Sequence, residues 1–282
     1  MRFTKMHALG NDFIALNGYD LPPHDWRQLA IDMCDRHYGA GADGLFVAFP
    51  SDTADVRMLF FNPDGSEDRC GNALRCLGRF LHDEDITQKT HVAVDTFGGT
   101  VHLWIHKCEE DDCTVTVDLG APALNPIAIP MSVAGDRALN VPVTVAGRNL
   151  ILHACSTGTP HAIILVDEMP DEATFQTASP LIENHPLFPE RTTLEWTHFT
   201  SPHRAEIRIW ERAVGETLGC GTGAAAVAVI GHLLGISANP VTVVSKGGEV
   251  KASWDGDDAV TLSGPAYIVY TGDWKERSGD AG

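Results

Sequence analysis

The sequence predicts an α+β protein of two pseudo-symmetric halves, and three observations carry that expectation. A set of landmarks occurs twice in the same order. The strand signals are short and rich in β-branched or aromatic residues, and each half contains one strongly apolar helix.

The repeat is anchored at two cysteine–glycine pairs. "RCGNALRCLGRFL" (69–81) is echoed by "GCGTGAAAVAVIG" (219–231), and "DTFGGTVHLWI" (95–105) by "VSKGGEVKASW" (244–254). Cys70 precedes Gly98 by 28 positions, and Cys220 precedes Gly247 by 27. Upstream, "HALGNDFIAL" (7–16) loosely matches "STGTPHAIIL" (156–165), with Gly10 lying 60 before Cys70 and Gly158 lying 62 before Cys220. Three landmarks in one order define two homologous halves. The proline-rich stretch 121–150 reads as the crossing between them, so the expected domains are 1–120 with 266–282 added, and 121–265.

Taken in chain order, "GAGADG" (39–44) fits a dinucleotide fingerprint by spacing, but a strand-like "LFVAF" follows it where a helix is required. It reads as a glycine-rich turn. "VRMLFFN" (56–62) and "AEIRIWE" (205–211) read as strands. The first helix carries a Leu74, Leu77, Leu81 stripe with Arg75 and Arg79 one turn apart, an amphipathic pattern. "VHLWIHK" alternates His102, Trp104 and His106 with Val101, Leu103 and Ile105, as a half-buried strand does, and "EEDDC" after it reads as an exposed hairpin tip. Ala224 to Leu234 is apolar nearly all round, which predicts a buried central helix.

Composition narrows the function classes. With 44% hydrophobic and 21% charged residues, the 282-residue chain is core-forming. A net charge of −18 leaves no basic stripe for nucleic acid or an anionic membrane. The start "MRFTKMHALGND" shows no apolar signal region, and the longest apolar run, "AAAVAVIGHLLG", is too short to span a bilayer. Seven cysteines in such a chain read as reduced thiols in a cytoplasm, without a disulfide framework. His102, His106, Cys108 and Cys113 raise a zinc question, but the matching hairpin "VKASWDGDDAV" has no such residues, and no metal site is expected. Cys34, Cys76 and Cys155 read as small buried residues.

Cys70 and Cys220 remain, equivalent in the two repeats. Each stands at the entrance of a predicted helix, where free N–H groups and the dipole favour a thiolate and also bind a carboxylate. Two such thiols facing one another across a cleft could remove a proton from one face of a stereocentre and return one to the other. The helix entrances would help to stabilise the carbanion without a cofactor.

The blocks "KMHALGNDF" (5–13), "FNPDGSEDRCGNALRC" (61–76), "GTPHAI" (158–163), "FPERTTLEW" (188–196) and "WERAVGETLGCGTGAAAVA" (210–228) resemble the signature blocks of the diaminopimelate epimerase family. The resemblance implies two α/β domains, each a curved, mostly antiparallel sheet around a central helix, with the active site in the cleft between them. It also implies epimerisation of LL- to meso-diaminopimelate, in lysine and peptidoglycan-precursor biosynthesis, by a homodimer that needs no pyridoxal phosphate or other cofactor.

By position, the resemblance makes Cys70 and Cys220 the catalytic pair, with His161 and Glu211 tuning the two thiols. It places Asn11, Gly71, Asn72, Gly221 and Thr222 around the reacting end, and Asn62, Glu211 and Arg212 at further binding positions, with Arg212 gripping the distal carboxylate. Thr159 and Thr193 stand where the family commonly has asparagine at the distal end, and Gly44 replaces a side chain that some members present. Two alternatives stay open: racemisation of another amino acid, histidine for example, and a non-catalytic thiol or zinc-binding protein.

Overall fold

A computed structural model describes residues 1–19, 21–109 and 112–275. Its chain divides into two compact units, Met1–Val117 with Pro265–Gly282, and Asp118–Gly264.

The first unit begins with the antiparallel pair β1 (Arg2–Ala8) and β2 (Asn11–Asn17). β3 (Gly44–Phe49) lies parallel to β2, and β4 (Val56–Phe61) antiparallel to β3. β5 (His91–Thr96) is parallel to β4; β6 (Gly99–Glu109) and β7 (Asp112–Asp118) then continue antiparallel. Each parallel step needs a crossover. α1 (Trp26–Cys34) supplies the first and α2 (Gly71–Asp83) the second.

The second unit opens with β8 (Ala138–Val145), hairpinned to β9 (Arg148–Ser156), and then repeats the same order of pairings. β9 and β10 (Pro160–Leu165) are antiparallel, and α3 (Glu172–Glu183) crosses to β11 (Thr193–Ser201), parallel to β10. β12 (Arg204–Glu211) is antiparallel to β11 and carries the short β13 (Gly215–Thr217) on its edge. α4 (Gly221–Leu233) crosses to β14 (Val241–Ser245), parallel to β12, followed by β15 (Gly248–Ser253) and β16 (Thr261–Pro265) in antiparallel steps. A last strand, β17 (Tyr267–Asp273), returns to the first unit, where it pairs antiparallel with β1. The expected α+β class of two related, mostly antiparallel halves holds.

Each sheet wraps its second helix. α2 packs on β1, β2, β3 and β6, and α4 on β9, β10, β11, β12, β14 and β15. The other faces are closed by the peripheral helices. Leu29 and Met33 of α1 join Ile14, Leu16, Leu45 and Val47, while Phe175 and Ile182 of α3 join Leu152, Ile164, Leu194 and Trp196. Burying each such side chain contributes about 1.5–3 kcal/mol.

The strand readings at 56–62, 101–107 and 205–211 hold, and Val101, Leu103 and Ile105 point inward as the alternation requires. The tip residues Glu110 and Asp111 lie outside the described residues, as does 276–282. Four readings need correction. The sequence pointed to one helix per half, yet α1 and α3 add a second. α1 has only nine residues, and α3 has Pro180 inside it, which the sequence reads as a break.

The second correction concerns α2, which is buried from Asn72 to Leu81 rather than amphipathic. Arg75 is fully buried and bonded back to Asn72 Oδ1 at 2.8 Å; Arg79 reaches Asp83 Oδ2 and the Ala266 carbonyl, both at 3.0 Å. The third is that Cys108 and Cys113 are disulfide-bonded, not reduced. They stand directly opposite on β6 and β7, where cross-strand side chains come within bonding reach, a proximity no cysteine count reveals. The fourth, at Cys220, belongs to the site.

Among the described residues no helix is long and apolar enough to cross a membrane. The "GAGADG" turn has Gly41 at φ +74°, its carbonyl accepting from Lys5. Gly44 is required for packing: a Cβ there would meet the Phe60 ring at 2.6 Å.

Candidate active site

The two cysteines are helix N-caps with nearly the same backbone. Cys70 precedes α2 at φ −132°, ψ 118°, and Cys220 precedes α4 at φ −126°, ψ 114°. The offset of 150 positions persists to the other end of each helix, where Ile86 N bonds Leu81 O and Ile236 N bonds Gly231 O, both at 3.0 Å. It nearly persists into the next hairpin, where Thr96 Oγ1 bonds Gly99 O and Ser245 Oγ bonds Gly248 O. The landmarks found in sequence thus mark the same structural position in each unit.

Around Cys70 the groups are amides. Its thiol donates to Asn11 Oδ1 at 3.7 Å, and the same oxygen accepts from Asn72 Nδ2 at 3.3 Å. Asn11 is oriented from behind, its Nδ2 donating to Asp43 Oδ2 at 2.8 Å. Asp43 is itself bridged by Arg36 to Asp12, which also pairs with Lys5. Burial opposes ionisation of Asp12, but the bonds from Arg36 and Lys5 together prevail and hold its carboxyl well below the usual range.

Beneath the first turn of α2, burial pulls the Arg75 guanidinium down to about 10. Its Nε and Nη1 have no hydrogen-bond partner among the described residues. Gly71 and Asn72 form the first turn. Asn62, at the end of β4, commits its amide to Ser66 Oγ at 3.0 Å within a turn of its own.

Around Cys220 the groups are charged and dry. Its sulfur accepts the Gly223 N–H at 3.3 Å and lies 3.3 Å from Thr222 Oγ1. His161 of β10 and Glu195 of β11 are fully buried, with Nδ1 and Oε1 2.9 Å apart. Thr159 Oγ1 lies 3.1 Å from the other ring nitrogen, Nε2. Glu211 ends β12 and adds a second negative charge near the thiol. Burial first, then Glu211 and Glu195, push the Cys220 thiol well up, and the bonds from Thr222 and Gly223 do not offset them. The helix entrance was expected to favour thiolate at both cysteines; at Cys220 burial and carboxylates outweigh it.

Three other positions differ from a purely substrate-facing role. Thr193 is buried, and its hydroxyl accepts from Arg212 N at 3.2 Å. Arg212 Nη1 reaches the Glu190 carbonyl at 3.5 Å. Glu183, at the end of α3, holds this turn with both oxygens: Oε1 accepts from Ala213 N at 2.9 Å and Oε2 from Trp210 Nε1 at 2.8 Å. Gly221 and Thr222 begin α4, and the Thr222 carbonyl accepts from Thr157 Oγ1 at 2.8 Å.

Sequence reasoning missed Asp43, Arg75, Glu183 and Glu195. Glu195 left a signal: "TLEWT" puts Leu194 and Trp196 on the α3 face and so sends a carboxylate to the α4 face.

Among the described residues, His161, Glu195 and Cys220, with ligand atoms all within 4.8 Å of one another, form the group that could hold a metal ion. Both ring nitrogens of His161 are already engaged, so an ion there must first displace Glu195 or Thr159. The hairpin histidines are engaged too, His102 stacked on His91 and His106 bonded to Thr116.

Two cysteines at equivalent helix N-cap positions in a repeated fold agree with comparison to known proteins. The family model described as diaminopimelate epimerase matches residues 3–125 and 153–269. The chain belongs to the diaminopimelate epimerase family. A relative named diaminopimelate epimerase from Pelotomaculum thermopropionicum is 42% identical over 281 residues, 99% of this chain and 100% of the relative. Another, from Desulforudis audaxviator, is 43% identical, covering 97% of this chain and 99% of its own.

Among solved structures, a probable proline racemase from Agrobacterium radiobacter superposes with a TM-score of 0.71 at 16% identity, covering 99% of this chain and 94% of its own. A hydroxyproline epimerase from Agrobacterium vitis gives 0.67 at 16% identity, with 96% and 91% covered. These two share the fold of the diaminopimelate epimerase family member described here, which is an enzyme of the isomerase class.

Proposed function

We propose that the chain interconverts LL- and meso-2,6-diaminopimelate by two-base proton transfer, a step of lysine and peptidoglycan-precursor biosynthesis, and works as a cytoplasmic homodimer. One thiolate takes the Cα proton, the C–H electron pair stays on the carbon and spreads into the carboxylate, and the other thiol protonates the opposite face. Configuration inverts, and the thiol and thiolate exchange roles for the reverse reaction. The observation that carries this reading is the repeated geometry: Cys70 and Cys220 hold equivalent helix N-cap positions, and neither is in a disulfide.

The N–H groups at the helix entrances, with Gly71, Asn72, Gly221 and Thr222, take the substrate carboxylate, where developing charge is best stabilised. Asn11 supports the same end, His161 and Glu211 tune the thiols, and Asn62, Thr159, Thr193 and Arg212 serve the distal amino-carboxylate.

A second reading, racemisation of a monocarboxylic amino acid, is favoured by one observation. Thr193 and Thr159 each offer a single hydroxyl that already makes one contact, with Arg212 N and with His161, which leaves fewer groups for a distal amino-carboxylate than two amides would.

The deciding experiment is Cα deuterium incorporation, read by NMR, over a panel that includes LL-diaminopimelate and histidine. Exchange of diaminopimelate with conversion to the meso form is the expected result. Exchange of a monocarboxylic amino acid alone would replace the first reading with the second, and exchange surviving in both Cys70→Ala and Cys220→Ala would end both.

A further inference from the structure

We propose that Glu195 is a positioning residue of the reaction: its buried carboxylate fixes the His161 tautomer and keeps Cys220 the protonated thiol of the resting enzyme. This rests on the two-base reading and names which thiol enters the cycle as the acid.

The geometry is constrained on every side. Glu195 sits in the middle of its sheet, paired with Ile163 on β10 and Ile209 on β12, and its side chain is turned onto the entrance of α4. It stands so close that a Cβ at position 223 would meet Oε1 at 2.2 Å. Glycine is therefore required at 223 by the carboxylate itself; the equivalent residue of the first unit, 150 positions earlier, is Ala73. A carboxylate only accepts, so His161 Nδ1 carries the proton of the 2.9 Å bond and Nε2 is left to Thr159. The second carboxylate oxygen, Oε2, is buried without a hydrogen-bond partner among the described residues. Its negative charge is thus little screened and acts on the sulfur close by.

The remaining groups around α4 do not cancel it. β10 contributes His161, β12 contributes Glu211, β9 contributes the Cys155 thiol and His153, and the charged residues of β15, Glu249 and Lys251, are exposed. Burial likewise pushes the Cys155 thiol up, leaving it neutral.

The other buried thiols are raised by the same cause, so the readout has to be specific to Cys220. Burial pushes Cys34 up to about 12, and Cys76 and Cys155 higher still. In a Cys70→Ser background with cysteine carbon-13 labelled at Cβ, the resonance that is lost on further Cys220→Ser substitution reports the ionisation of Cys220 alone. The midpoint is expected well above that of a free thiol, and Glu195→Gln should lower it by roughly one to three pH units. Glu195→Asp, which keeps the charge, should restore much of the raised midpoint. A midpoint that stays put or rises in Glu195→Gln overturns the proposal. In the wild-type protein, ring-nitrogen chemical shifts of His161 should report the proton on Nδ1, and a proton on Nε2 alone overturns it whether or not the variants fold. Neither readout uses substrate, so failure here is separate from failure of Cα exchange.

Discussion

Cys70 and Cys220 occupy the same backbone position, yet their surroundings differ in kind. Cys70 is half-buried among amides, with Asn11 and Asn72 oriented from behind by Asp43 and Arg75. Cys220 is buried beside an imidazole and two carboxylates. Two positions within the helices record the difference: Ala73 against Gly223, and Arg75 against Ala225. The repeat reproduces a helix entrance, while strands distant in sequence decide its charge. On the two-base reading proposed above, a pair of thiols sharing one proton gains from that inequality.

The comparison breaks most completely if either thiol is dispensable. Cys70→Ala and Cys220→Ala should each lower kcat by roughly 10²- to 10⁴-fold, the usual worth of a proton-transfer group, measured by epimerisation assays on variants with unchanged unfolding midpoints. Next comes the exchange of helix residues. Gly223→Ala drives Glu195 from its seat and should cost on the order of 10²-fold in kcat. Ala73→Gly meets no such carboxylate and should cost about 0.5–1 kcal/mol of stability in chemical denaturation, with kcat nearly retained. If the two substitutions behave alike, the charge difference between the entrances has no functional weight.

Arg75→Met probes the amide side. A buried guanidinium with unfilled donors contributes little net stability, so the variant should unfold within about 1 kcal/mol of wild type. Asn72 loses its anchor, and kcat should fall roughly tenfold, the worth of one charge-assisted hydrogen bond.

The last effect is on alkaline stability. Cys34, Cys76, Cys155 and Cys220 are all raised by burial, so their stabilisation is intact below the unfolded thiol value of about 8.5 and is lost as pH rises above it. Denaturation midpoints should therefore fall above about pH 8.5, less steeply in Cys155→Ala.

Much of this was legible in the sequence. The duplicated Cys-Gly blocks carried the fold class, the central helices and the paired thiols, because a helix entrance and a glycine turn are local features. The alternation in "VHLWIHK" placed its strand faces correctly. Arg75 was misread because charged residues at helical spacing usually mark a solvated face, whereas here the sheet closes over the whole helix. Glu195 and Asp43 were missed because their importance lies in partners far along the chain, 34 residues away at His161 and 32 at Asn11. The Cys108–Cys113 bond depends on strand register, which composition does not encode.

The claim that one thiol works on each face of the same carbon has a direct test. LL-diaminopimelate is turned over in deuterium oxide, and early product and remaining substrate are separated and analysed for Cα deuterium. The two-thiol account predicts deuterium in the meso product, delivered by the solvent-exchanged thiol, and protium in the unreacted LL form. Equal deuterium in both would mean that a single group serves both faces, and would contradict it.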